Sequence, residues 1–201
     1  ILPSPSFIKE GNSKGWILYL LCYNYPMSFS DPEKNVAQFG IGHGMQVADL
    51  GAGSGFYTIE SARKVGGAGK VYAIEVQKDL LSKLKNNAVH EHLLNVEVIL
   101  GDIENIGGTH LRDGSIDRAI ASNVLFQIEH KDNFCLEIKR ILKPGGKVLV
   151  VDWSDKSPLG PKTVVSETFV RSLFEKAGFD FESSISAGDH HYGLIFNKKN
   201  V

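Results

Sequence analysis

The chain predicts an α/β fold, a mostly parallel sheet with helices on both faces. Three observations carry it. Short apolar runs and amphipathic stretches alternate from residue 45 to the end. Gly and Pro punctuate the junctions between them. Two terminal runs, Phe179–Ser184 and Tyr192–Asn197, are joined by a loop too short for a crossover helix and must pair antiparallel.

The elements follow in order. Asp31-Pro32-Glu33 reads as a helix start, Asp as N-cap and Pro at the first helical position. Val36 and Phe39 follow at helical spacing, and Gly40 and Gly42 stop it. The first strand is Gln46–Leu50. A helix over Phe56–Val65 carries Ile59, Ala62 and Arg63, and Gly66-Gly67 ends it. The second strand, Lys70–Glu75, precedes a helix from Gln77 to Ala88 with Leu80, Leu81 and Leu84 on one face. The third strand is Val96–Leu100; residues 101–115, polar and Gly-rich, read as a loop. The fourth, Ile116–Ala121, leads to a helix over Lys131–Leu142 with Phe134, Ile138, Ile141 and Leu142 inward. Pro144-Gly145-Gly146 turns the chain into a fifth strand, Lys147–Trp153, whose continuous apolar run suits burial on both faces. A helix over Ser166–Ala177 has Phe169, Leu173 and Phe174 as its stripe. Right-handed crossovers then give the parallel sheet.

The 201 residues suit one core-forming domain, 41–201, preceded by a Pro- and aromatic-rich extension, 1–40. Charged residues are 22% and the net charge is −1, which gives no footprint for non-specific nucleic-acid binding. Cys22 and Cys135 are too few and too far apart for a disulfide framework, and read as buried apolar residues in a reducing compartment, the cytoplasm. The run from Trp16 to Tyr25 is roughly half the length of a membrane span. No small-residue cleavage pattern follows it, so it is expected to pack on the domain. Tyr19, Tyr23, Tyr25, Met27 and Phe29 stand either as a lid over an acceptor site or as plain packing.

Residues 47–55, V-A-D-L-G-A-G-S-G, hold the strongest functional signal. Glycines at 51, 53 and 55 let a strand turn sharply into a helix and let a ligand lie against bare backbone. The dinucleotide fingerprint G-x-G-x-x-G needs glycine at 56, where Phe56 stands, so NAD is disfavoured. Further motifs follow in order: V-Y-A-I-E-V, ending on Glu75 and Val76; Gly101-Asp102 after the third strand; I-D-R-A-I-A-S-N-V-L-F; and L-K-P-G-G-K-V-L-V-V-D.

Over residues 41–197 this set resembles the class I S-adenosylmethionine (SAM)-dependent methyltransferases, especially the small-molecule group of ubiquinone/menaquinone-biosynthesis-like enzymes, the methyltransferase type 11 group. The resemblance implies a Rossmann-like sheet of order 3-2-1-4-5-7-6 with strand seven antiparallel. It implies SAM as cofactor, S-adenosylhomocysteine as product, and a cofactor set of Asp49, Gly51, Ala52, Gly53, Gly55, Glu75, Val76, Gly101, Asp102, Ile103, Ser122 and Asn123.

Physical reasons stand beside the resemblance. Glu75, closing a strand beside the glycine turn, can accept both ribose hydroxyls. Asp102 can accept the adenine amino group with Ile103 against the ring, or simply form a turn. Asp49 stands either near the cofactor's amino group or as a brace for the loop. Asn123 stands either beside the methionine part, with a catalytic role, or as a backbone brace. Phe56 and Tyr57 read as packing.

The acceptor side is expected at the carboxyl ends of the strands. Trp153 is a candidate aromatic wall or an edge residue, and Tyr25 and Phe29 are candidate acceptor contacts. His190 and His191 stand as a catalytic base or acceptor contact, as metal ligands beside Asp189, or as loop residues. Adjacent strand residues point oppositely, so one shared metal ion is disfavoured and no metal is expected. The N-P-P-[YF] sequence of nucleobase and glutamine methyltransferases is missing, S-N-V-L standing in its place, and the cysteine set of arsenite methyltransferases is absent. A small, partly apolar acceptor therefore leads. An RNA or protein methyltransferase, or a non-catalytic SAM-binding protein, is the alternative.

Overall fold

The computed structural model describes residues 30–155, 157 and 160–199. Tyr25, Phe29 and Cys22, with the rest of the expected lid, lie outside the described residues.

Seven strands form one sheet in the order β3-β2-β1-β4-β5-β7-β6. They are β1 Gln46–Leu50, β2 Lys70–Glu75, β3 Val96–Leu100, β4 Ile116–Ser122, β5 Leu142–Trp153, β6 Phe179–Ile185 and β7 His191–Lys198. The pairs among β1 to β5 are parallel, and β7 runs antiparallel to both β5 and β6. Helices α1 Pro32–Phe39, α2 Phe56–Val65, α3 Lys78–His90, α4 Lys131–Ile141 and α5 Glu167–Lys176 cover the two faces.

Side-chain alternation along the strands divides the core. Ala48 and Leu50 of β1 face one way, into the layer that holds Phe134 and Ile138 of α4 and Val170 and Phe174 of α5. Val47 faces the other way, toward Val36 and Phe39 of α1 and Tyr57, Ala62 and Val65 of α2. Asp31 caps α1 by accepting the Lys34 N–H, and Gly40 ends that helix in the left-handed region at φ 72°.

Three expectations are corrected. The buried face of α3 is Leu81, Leu84 and Ala88, whereas Leu80, expected on one face with Leu81 and Leu84, is only half-buried. Phe169 is half exposed and Val170 takes its place in the α5 stripe, because the packed face is offset by one residue. Leu142 leaves α4 to begin β5, where it pairs with Ile116 before a register shift.

Candidate cofactor and acceptor site

At the carboxyl ends of β1, β2, β4 and β5 lies a cavity of about 530 Å³, within the range of small-molecule sites. One end is built by the turn after β1. Gly51, Gly53 and Gly55 all sit at positive φ (74°, 53° and 84°), a region glycine enters without the cost a β-carbon brings. Gly51 and Ala52 donate their N–H groups to the Ile74 carbonyl, so the turn stays hydrogen-bonded to β2 as it leaves the sheet. A β-carbon at Gly53 would meet nothing closer than 4.0 Å, so the missing side chain leaves open cavity. Gly55 is different. It does not line the cavity, and a β-carbon there would meet Leu84 at 2.5 Å. Its role is to start α2 and admit α3.

Glu75 is 8% exposed. Its Oε2 accepts the Gly53 N–H at 3.1 Å, and its Oε1 accepts those of Val76 and Gln77 at 2.8 and 3.0 Å. The acid closing β2 is thus tied to the glycine turn itself. An ionised carboxylate has about four lone-pair sites, so Oε2 keeps capacity toward the cavity. Asp102 accepts the Glu104 N–H and the Asn105 amide, the geometry of a turn-forming Asp, and also lines the cavity. Ile103 is buried beside it, near Gly51.

Asp49 is buried and accepts the Thr58 hydroxyl at 2.5 Å, joining β1 to the first turn of α2. Burial raises its carboxyl to about 6, against the lowering effect of Thr58.

The other end is formed where β4, β5 and β7 finish. Asn123 holds φ 55°, rare for a residue other than glycine but open to Asn. Its N–H donates to the Val151 carbonyl at 2.8 Å and its carbonyl accepts the Gln127 amide, so its backbone braces the turn. Its Oδ1 is buried with no hydrogen-bond partner among the described residues. Trp153 and His191 are directly paired across β5 and β7, with ring centroids 4.4 Å apart and planes tilted by 36°. His191 lines the cavity and is 8% exposed. Burial and the neighbouring His190 lower its imidazole to about 4, so it is neutral at physiological pH. That makes it a weak base and a competent hydrogen-bond partner.

His190 is absent from the cavity wall. It is buried on the other side of the strand start, its Nδ1 3.1 Å from Ser157 Oγ and its carbonyl accepting the Ser154 N–H. The two histidines part at the strand start, His190 closing the turn before β7 and His191 opening the strand. No group of three His, Cys, Asp or Glu placed to hold a metal ion occurs among the described residues.

Sequence reasoning missed several lining residues. Phe56 is half exposed on the rim, although it was expected to pack. Tyr57 packs in the core, yet its hydroxyl reaches Ser30 and Asn35 at 2.8 and 2.7 Å and also borders the cavity. Glu104 both lines the cavity and accepts the Glu129 and His130 N–H groups at the start of α4. The position of Phe56 and Tyr57, directly after the glycines, was the available signal. For Glu104 the sequence held none.

The loop between β3 and β4 has its own anchor. Glu137 of α4, 1% exposed, accepts the N–H groups of Gly107 and Thr109, the Thr109 hydroxyl, and Arg140. Burial pushes this carboxyl up, but Arg140, Thr109 and Gly107 outweigh it and hold it at about 2.

The donor set fits SAM. The cavity offers a glycine cradle, a carboxylate with spare capacity at its edge, and four acids (Asp49, Glu75, Asp102, Glu104) with no Lys or Arg among the described lining residues. Such a lining suits a sulfonium cation and opposes the pyrophosphate of a dinucleotide.

Comparison with known proteins agrees with this geometry. Residues 41–195 match the family described as a methyltransferase domain. The fold, the glycine turn and this match define a class I SAM-dependent methyltransferase, and the chain belongs to that family. A crystal structure of a SAM-dependent methyltransferase from Aquifex aeolicus superposes with a TM-score of 0.76 at 31% identity, covering 85% of this chain and 91% of that one. Among curated proteins, an arsenite methyltransferase of Halobacterium salinarum is 31% identical over 57% of this chain and 29% of its own length. A ubiquinone/menaquinone biosynthesis C-methyltransferase of Cupriavidus necator is 29% identical over 59% of this chain and 47% of its own. The chain thus matches less than half the length of these curated relatives.

Proposed function

We propose that this protein transfers a methyl group from SAM to a small-molecule acceptor by in-line displacement. The observation that carries the proposal is the Glu75 carboxylate hydrogen-bonded to the Gly53 N–H at the mouth of an open glycine turn. In this reading Glu75 holds the ribose, Asp102 and Ile103 the adenine, and Gly51, Ala52 and Gly53 pass under the nucleoside. Asp49, Ser122 and Asn123 border the methionine part. The bound cofactor supplies an electrophilic methyl on a positively charged sulfur. The protein's task is alignment of acceptor, methyl and sulfur, which supplies roughly 7–11 kcal/mol in well-oriented reactions.

The relatives' names give one as an arsenite methyltransferase and the other as a C-methyltransferase of ubiquinone/menaquinone biosynthesis. The arsenite reading finds little support in the residues here. Cys135 is fully buried, and burial pushes its thiol up to about 12. A nucleic-acid acceptor is likewise disfavoured by the acidic lining.

Calorimetry with SAM and S-adenosylhomocysteine tests the proposal. Both bind to the parent protein. Glu75→Ala weakens them by about 1.5–3 kcal/mol, the worth of hydrogen bonds to a charged group. Failure of both to bind the parent would remove the proposal. A screen of metabolite extracts for SAM-dependent gain of one methyl group then identifies the acceptor.

A further inference from the structure

Two loops far apart in the chain share one side of the cavity wall. The loop after β3 contributes Asp102, Ile103 and Glu104, and the segment after β4 contributes Val124, Gln127 and Ile128. No strand ladder joins them, because β2 and β1 lie between β3 and β4 in the sheet. The Glu104 side chain spans the gap. Its Oε2 accepts the N–H groups of Glu129 and His130 at 2.8 and 2.7 Å. Hydrogen bonds to a carboxylate are the strong kind.

Three features show what this tether does. Its N–H partners stand at the start of α4, where the N-cap residue His130 makes no side-chain capping bond. Glu104 brings to that helix start the acidic group it favours. The residues just before each partner, Ile103 and Ile128, are buried members of one apolar cluster and both line the cavity, so the tether fixes their spacing. The Glu104 N–H in turn donates to Asp102 Oδ1 at 2.9 Å, and the Asn105 amide donates to Asp102 Oδ2 at 2.6 Å. Asp102 is itself exposed, and these bonds set the direction of its carboxylate. A recognition group keeps its geometry only when its supports are themselves held. The back of the loop has a separate anchor, Glu137, which binds Gly107 and Thr109 and lies outside the cavity wall. Loss of the Glu104 carboxylate therefore frees the front of the loop and leaves its back attached.

We propose that Glu104 is a positioning residue: its side chain pins the loop after β3 to the start of α4 and so aims the Asp102 carboxylate at the amino group of the cofactor's adenine. The inference rests on the methyltransferase reading, in which Asp102 meets the adenine, and adds the residue that makes this contact selective. Glu104 acts through Asp102.

The test titrates two nucleosides by calorimetry, S-adenosylhomocysteine and S-inosylhomocysteine, which carries a carbonyl where adenine carries its amino group. The parent protein binds the adenosyl compound at least about tenfold tighter, the effect of one hydrogen bond to a charged group. Glu104→Gln keeps an oxygen that accepts both N–H groups and retains most of this preference. Glu104→Ala loses the tether, and its preference falls to about threefold or less. Thermal melting verifies that both variants are folded at the temperature of titration. Should the alanine variant not be, Glu104→Asp, one methylene shorter than the gap requires, takes its place. A strut that served the fold alone would lower the melting temperature and weaken both nucleosides alike, so an unchanged preference in Glu104→Ala overturns the inference. Equal loss of preference in the glutamine and alanine variants also overturns it. A parent that binds S-adenosylhomocysteine without preferring it to the inosyl compound overturns it too, and in that case the methyltransferase reading stands. If S-adenosylhomocysteine itself fails to bind, both fall.

Discussion

At the glycine end of the cavity, Glu75 and Asp102 are tied by short hydrogen bonds to backbone and side-chain groups close by, Gly53, Val76 and Gln77 for one and Glu104 and Asn105 for the other. At the β5–β7 end, His191 and Asn123 bury polar atoms that have nothing to bond among the described residues. The first end is tied to its own backbone before any ligand arrives, with Glu75 Oε2 keeping capacity toward the cavity. The second holds its polar groups in reserve and is stabilised less by them than it would be by apolar substitutes. The contrast teaches that groups bonded to their own turn add to stability, whereas buried polar atoms left without a partner subtract from it.

Substitutions can break or sharpen this contrast. The largest effect is expected at Gly55. Valine there would force a β-branched residue to φ 84° and drive its β-carbon to 2.5 Å from Leu84. Strain and overpacking together should cost about 5 kcal/mol, read from urea unfolding. A small loss would mean that the glycine turn is not rigid. Next comes Glu137→Ala. It strands two loop N–H groups and the Thr109 hydroxyl proton and removes the buried partner of Arg140, which keeps Asp113 and the Leu111 carbonyl, and should cost about 4 kcal/mol in the same measurement. It should also weaken SAM, because the released loop carries Asp102.

The third effect depends on pH. Burial raises the Asp49 and Asp152 carboxyls to about 6, above the unfolded value of 3.8. Between these values the folded state holds protons that the unfolded chain has released. Stability from these groups is therefore full below about pH 4 and is lost as pH rises through 6, by about 3 kcal/mol for each. Asp49→Asn should remove its share of that slope in unfolding curves taken from pH 4 to 7. Glu137 runs oppositely. Its depressed carboxyl stabilises above about pH 4.5, and that contribution is lost as pH falls toward 2.

The smallest effect on stability belongs to the acceptor end. His191→Phe replaces two buried nitrogens that have no partner among the described residues with ring carbons, so thermal melting should show a change within about 1 kcal/mol of zero. A loss as large as that of Glu137→Ala would mean that His191 supports the fold and holds nothing in reserve.

Much of this was legible in the sequence. The bounds of β1, β3 and α2 follow from apolar runs closed by Gly, and that of β2 from a run opened after Gly69 and ended by Glu75, because strand and helix periods and turn chemistry are local properties. The cofactor end follows likewise, since Asp49, the glycines and Glu75 mark the ends of adjacent parallel strands. Local pattern was less able to settle which face of an amphipathic helix is buried. Phe169 and Val170 are neighbours, and only the packing of α5 on β6 and β7 chose between them.

What the amino-acid order determined by itself, then, is the alternation of elements, the glycine turn and the acids beside it, because each depends on residues close along the chain or on a strand end that the pattern marks. Only the tertiary structure decided that His191 faces the cavity while His190 turns away, that Trp153 meets His191 across two strands, and that Glu137 reaches back some thirty residues to fix a loop. Those outcomes are set by register between strands and by packing between distant segments, and neither is written in any short stretch of sequence.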